Sequence, residues 1–138
     1  MGRREMMQSF KYVVIAAMIT AGIQPVFADD NGLSQTFLAC MDQSGGVTVS
    51  MIECMNAEAE RQDVRLNNAY KDIMSGLSPE RKKQLQEAQR LWLKYRTANC
   101  DFYYDPDGGT IAGVSANDCF MSATAARAKE LESIKQQD

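Results

Sequence analysis

The chain has 138 residues, with 15 Lys and Arg against 18 Asp and Glu, four Cys and no His. It is long enough for one domain with a modest core. The missing His removes the commonest general base near neutral pH and the commonest zinc ligand, so Ser-His-Asp and Cys-His enzymes are excluded while two-carboxylate chemistry is not.

The N-terminus reads as an export signal. Arg3, Arg4 and Lys11 form a positive stretch, Tyr12–Ile23 is a short apolar run, and Pro25 breaks it. Val26-Phe27-Ala28 places small residues where a signal peptidase reads, so cleavage is expected after Ala28. The apolar run is well short of the roughly 20 residues that a spanning helix needs. Residues 1–28 are therefore expected to be a signal peptide and 29–138 a single periplasmic or secreted domain, with no membrane association after cleavage. Cleavage would remove three basic residues and one acidic residue, taking the net charge from −3 to −5. An acidic surface disfavours nucleic acid and anionic membranes and favours basic partners.

Cys40, Cys54, Cys100 and Cys119 are an even set in a short exported chain, which reads as disulfides. No C-x-x-C pair supports zinc, and no metal or other cofactor is expected. Three pairings are open. Closing near neighbours gives Cys40–Cys54 and Cys100–Cys119, and loops of that size contribute on the order of 3 kcal/mol each in the chain-entropy picture.

Asp29–Ser34 reads as a polar leader, and Gln35–Met41 as a short helix. Ser44-Gly45-Gly46 is a turn, after which Thr48 or Ser50 is placed to cap a helix over about Val49–Met74. Ile52, Met55, Ala59, Leu66, Ala69, Tyr70, Ile73 and Leu77 form its apolar face. Glu53, Glu58, Glu60, Arg61, Asp63 and Arg65 read as mostly a solvated opposite face. Gly76 sits where a C-cap glycine belongs, and Ser78-Pro79-Glu80 supplies a cap, a first-turn Pro and an acid for the next helix. Leu85, Ala88, Trp92, Tyr95, Asn99 and Phe102 mark that helix's expected inner face. The short link makes the two helices antiparallel neighbours. Asp101–Ser115 is rich in Gly and Pro and reads as irregular. A last helix is expected from about Ala116 to Ile134, with Phe120, Ala123, Ala126, Leu131 and Ile134 inward.

The irregular stretch is the best candidate binding site. Tyr103 and Tyr104 offer contact area, Asp105 and Asp107 offer charge for a basic cleft, and Gly108, Gly109 and Thr110 allow close backbone approach. The competing account is a disulfide-closed connector whose Tyr rings complete the core. Asp105-Pro106-Asp107-Gly108 also resembles the middle of a calcium loop, but Tyr103 and Val114 stand where the first and last acids are needed. Gln89, Trp92, Arg96 and Cys100 share one helical stripe. Asn67, Gln89, Arg96, Thr124 and Arg127 are candidates for an interior polar network, with a ligand site between helices as the alternative. Met41, Met51 and Met121 read as core filler.

Taken in order, these pieces resemble the LprI-type lysozyme-inhibitor domain, a family of small exported bacterial proteins. Thr48 and Cys54, Leu66-Asn67 with Tyr70, Ala88-Gln89-Arg90 with Trp92, Arg96 and Cys100, Gly108-Gly109-Thr110, and Cys119 with Thr124, Arg127 and Leu131 carry the resemblance. It covers about Cys40–Leu131. Met51 departs from it, standing where a Glu would complete a capping box. The resemblance implies an all-α fold with paired disulfides and, for some members, inhibition of lysozyme. The combined expectation is three main antiparallel helices plus a short N-terminal one, stapled through Cys40–Cys54 and Cys100–Cys119. Function is read as non-enzymatic occlusion of a basic lysozyme-like wall hydrolase. The alternative is a periplasmic interaction or stress module with another partner. An enzyme built on carboxylates and Tyr is the weakest reading.

Overall fold

The computed structural model describes residues 32–135, with no account of Lys135's side chain; the expected signal peptide lies outside that range. Four helices make up the described residues: α1 (Gln35–Gln43), α2 (Thr48–Gly76), α3 (Pro79–Tyr103) and α4 (Gly109–Lys135). No strand occurs among these residues. Both near-neighbour disulfides form, with Cα separations of 5.7 Å for Cys40–Cys54 and 5.5 Å for Cys100–Cys119. These lie within the span a disulfide can bridge.

Local sequence sets most helix boundaries. Ser34 caps α1 by accepting from the Phe37 N–H at 3.1 Å. Gly45 and Gly46 both take positive φ, which lets the chain reverse into α2. Neither Thr48 nor Ser50 caps α2. Val47 is the N-cap and offers no side-chain acceptor, because Thr48 is already the first helical residue. Gly76 is the last residue of α2 and does not adopt the left-handed conformation; Leu77, in extended geometry, turns the chain. Ser78 then caps α3, with Pro79 and Glu80 in its first turn as expected.

Residue pairings fix the directions. Met55 clusters with Met121 and Ala125, and Arg65 pairs with Glu132, so α2 and α4 run parallel. Cys100 bonds Cys119, Arg96 meets Thr124 and Gln89 meets Arg127, so α3 and α4 run antiparallel. Consecutive long helices thus alternate in direction, yet the broadest packing joins α2 to α4. The α2 and α3 helices are linked by a tight turn but pack on each other less than either packs on α4. Small residues allow this: Gly113 lies against Ile52, and Ala125 and Ala128 are fully buried at the seam.

The core has two parts. Leu33, Phe37, Cys54, Met55, Met121 and Ala125 pack around the first disulfide, with Met41 and Met51 filling the edge. Leu66, Ala69, Ile73, Ala128 and Leu131 pack toward the α2–α3 turn, flanked by Leu85 and Trp92.

Three further sequence expectations require correction. The stretch Asp101–Ser115 is mostly helical: α3 continues to Tyr103 and α4 begins at Gly109, leaving only residues 104–108 between them. Glycine at a helix start costs little, so Gly108-Gly109 opens α4 instead of excluding it. The inner face of α3 is Leu85, Gln89, Trp92, Arg96 and Cys100, whereas Ala88, Tyr95 and Phe102 are exposed. The inner face of α4 is Met121, Thr124, Ala125, Ala128 and Leu131; Phe120 and Ala126 are exposed. On a helix this rich in Ala, apolar periodicity is a weak guide to the buried side.

Candidate functional site

Interior polar residues hold the bundle in register. Arg96 is 8 % exposed, and its guanidinium carbon lies 4.0 Å from the Phe120 ring centroid and 5.0 Å from that of Trp92. Its Nη1 donates to Thr124 Oγ1 at 2.9 Å and lies 3.8 Å from Asp63 Oδ1. Its Nε has no hydrogen-bond partner. Burial lowers the Arg96 pKa, opposed by the Asp63 charge, but a guanidinium stays protonated across working pH. Stacking on two rings therefore stands in for part of its hydration. Arg127 donates from Nε to Gln89 Oε1 at 3.1 Å, pairs with Glu130 at 2.7 Å and lies over Trp92 at 5.8 Å. Asn67 does not join this interior. It is exposed and donates to Asp63 at 3.0 Å, because position 67 turns away from the Leu66 stripe.

A second cluster was not anticipated. Glu58 is fully buried at 0 % exposure. Its carboxylate accepts from Ser34 N–H at 2.8 Å, Ser34 Oγ at 2.6 Å, Arg61 Nε at 2.7 Å and Gln62 Nε2 at 2.7 Å. Gln62 also donates to the Gly32 carbonyl at 2.8 Å, and Arg65 reaches that carbonyl while pairing bidentately with Glu132. Burial raises the Glu58 pKa, but the donors from Ser34, Gln62 and Arg61 outweigh it and hold the carboxyl below its usual range. The sequence expectation places Glu58 with its charged neighbours on a mostly solvated face, and the structure overturns it for Glu58. The missed signal is spacing: 55, 58, 62, 66, 69 and 73 step by three and four, which puts Glu58 on the buried stripe.

The sequence-derived binding residues form the tip of the α3–α4 hairpin. Tyr103 ends α3, Tyr104 caps it, and both are exposed. This rules against the account in which their rings complete the core. Asp105 Oδ1 accepts from the Asp107 N–H at 2.9 Å, and the Asp105 carbonyl accepts from the Gly108 N–H at 3.0 Å. A Cβ on Gly108 would come within 2.9 Å of Ala112 Cβ, and Gly109 takes φ +63°, so both glycines are required by the turn. Thr110 is exposed in the first turn of α4. The Cys100–Cys119 bond braces the hairpin from inside both helices; Cys119 lies well into α4 and not at its start. Sequence reasoning missed two exposed apolar residues at this tip, Phe102 at 84 % and Ile111 at 66 % exposure. Phe102 meets Tyr103 edge-on at 6.0 Å between centroids.

Among the described residues no His/Cys/Asp/Glu cluster is placed to hold a metal ion, and no helix is long and apolar enough to cross a membrane. The architecture is thus a disulfide-stapled helical domain with an interior arginine network and an exposed aromatic, acidic hairpin. The chain belongs to the lysozyme inhibitor LprI family, whose family model matches residues 40–131. The family is named for inhibition, not for a catalysed reaction. No curated protein and no solved structure matches the chain significantly.

Proposed function

We propose that this chain is an exported, non-enzymatic binding protein that occludes a basic, lysozyme-like cell-wall hydrolase. The observation that carries the reading is the hairpin tip: Tyr103, Tyr104, Asp105 and Asp107 project from a disulfide-braced turn in a chain of the lysozyme-inhibitor family. Rigid aromatics on a braced turn lose little entropy on docking. The carboxylates beside them steer a basic enzyme toward the tip. Inhibition by occlusion needs no general base, which suits a chain without His. Export is supported by the N-terminal residues and by the paired cysteines, which persist in oxidising compartments.

The test is a lysis assay. The exported protein, purified in its processed form, slows wall lysis by a c-type lysozyme in a stoichiometric manner. Unchanged lysis under excess protein, at both low and moderate salt, counts decisively against the reading.

A further inference from the structure

Charge is segregated along the bundle. Residues 32–60 and 97–126 contain eight carboxylates and no Lys or Arg; residues 61–96 and 127–135 contain twelve Lys and Arg and six carboxylates. The fold gathers the first two segments at one end. The α2 and α4 helices start there side by side, α3 finishes there, and both disulfides lie there. The basic side chains nearest that end are Arg61, which pairs with Glu58, Arg65, which meets Gly32 and Glu132, and Lys129, which shares a groove with Leu33 and Ser122.

A cleft opens at the acidic end beside the Cys100–Cys119 bond. It is lined by Tyr103 from the last turn of α3 and by Ser115, Asp118, Cys119 and Ser122 from α4. Ser115, Asp118 and Ser122 recur at three- and four-residue steps, so their side chains share one face of α4. Asp118 is exposed and has no ion-pair partner among the described residues. Tyr103, Ser115 and Ser122 add hydroxyl oxygens. The α3 C-terminus, whose last turn holds no basic residue, adds carbonyl oxygens of negative partial charge. Arg127, the next basic residue along α4, is buried and paired with Glu130. Lys129, seven residues past Ser122, is about 10 Å away along the axis. The groove between Arg61, Arg65, Asn68 and Asp72 contrasts with this, since its arginines are already neutralised by Glu58 and Glu132.

We propose that the Tyr103–Asp118 cleft is a receptor for one Lys or Arg side chain of a protein partner, which docks end-on against the acidic half of the bundle. The partner's cation pairs with the Asp118 carboxylate while its aliphatic stem lies on the Tyr103 ring. Two exposed apolar residues flank this contact: Phe102, edge-on to Tyr103, and Ile111, one turn before Ser115 on the same face of α4. This rests on the hydrolase-binding reading for the partner's basic character, but the cleft's chemistry is independent of which basic protein is bound.

Two probes separate the claims. In an NMR amide titration with a hexa-arginine peptide, the exported protein shifts at Tyr103, Ser115, Asp118 and Ser122. Asp118→Asn abolishes those shifts and leaves the melting temperature unchanged, because the side chain is exposed. Against a c-type lysozyme, Asp118→Asn weakens affinity roughly tenfold, while Glu80→Gln in the basic half has no effect. Shifts mapping elsewhere, or an Asp118→Asn variant that binds both probes like wild type, overturn the cleft. Lysozyme inhibition retained in full by Asp118→Asn removes the cleft and leaves the hydrolase reading standing. Peptide shifts at the cleft without lysozyme binding support the cleft and remove the hydrolase reading.

Discussion

Glu58 and Ser34, 24 residues apart, are joined twice: the Ser34 N–H donates to Oε1 at 2.8 Å and its hydroxyl donates to Oε2 at 2.6 Å. Ser34 is also the N-cap of α1. One carboxylate thus ties the N-cap of α1 to the middle of α2. Arg61 and Gln62 satisfy its remaining acceptor capacity, which makes a buried charge tolerable.

Glu58→Gln keeps the shape and removes the charge. Its stability at neutral pH falls by about 2 kcal/mol, the scale of charge-assisted hydrogen bonds in a buried site. The pH dependence carries the mechanism. A depressed folded pKa stabilises above the unfolded value, near 4.5, and that stabilisation disappears as pH falls through the lower folded value. Denaturant melts of wild type and variant therefore converge in acid. A gap that stays constant from neutral pH into strong acid would show that the carboxylate's charge is not what holds Ser34.

Arg96 tests whether a stacked guanidinium or simply a buried cation sustains the network. Arg96→Lys retains charge but loses the plane that lies over Phe120 and Trp92. It is expected to lower the melting temperature and to alter Trp92 fluorescence. Arg96→Ala costs more, about 3–5 kcal/mol, because it leaves Thr124 facing an empty site and opens a cavity. A lysine variant as stable as wild type, with unchanged Trp92 emission, removes the stacking account.

The Cys100–Cys119 bond can be removed by a paired Cys→Ala exchange. Loss of the cross-link costs on the order of 3 kcal/mol, read as a lower denaturant midpoint. Both cysteines sit inside helices, so the hairpin is expected to remain helical by circular dichroism while binding weakens through lost bracing. Complete loss of helicity would instead make the bond a condition for folding.

Particular residues show what the sequence reveals. The Gln89-Trp92-Arg96-Cys100 stripe was legible because four- and three-residue steps place polar and apolar groups on one face, and its partners Thr124 and Arg127 are buried opposite it. Most residues that carry the family resemblance line this interior or the turn at Gly108-Gly109, so they specify the frame more than the contact surface. A large apolar side chain at helical spacing reads as core, but the buried stripe runs through Arg96 and Cys100, so Phe102, two residues past Cys100, lies on the opposite side of α3 in solvent. Charge segregation was invisible in the net charge. It depends on α2 and α4 running parallel, and composition does not encode direction.

The hairpin tip gives the last test, because charge and contact act there on different rate constants. Asp105→Asn keeps the oxygen that accepts from the Asp107 N–H, so the turn persists while its charge is lost. Combined with Asp107→Asn, it is expected to slow association with a c-type lysozyme and flatten the salt dependence, with little change in dissociation. Tyr104 is 63 % exposed, so Tyr104→Ala removes contact area without opening the core. It is expected to speed dissociation, with a cost of about 1–3 kcal/mol if the ring is an anchor, and to leave the melting temperature unchanged. Stopped-flow association, surface-based dissociation and thermal melts on the same variants distinguish these effects. A lowered melting temperature for Tyr104→Ala would return the ring to a structural role. Wild-type kinetics in both variants would reduce the tip to a connector and move the contact surface to the helix faces.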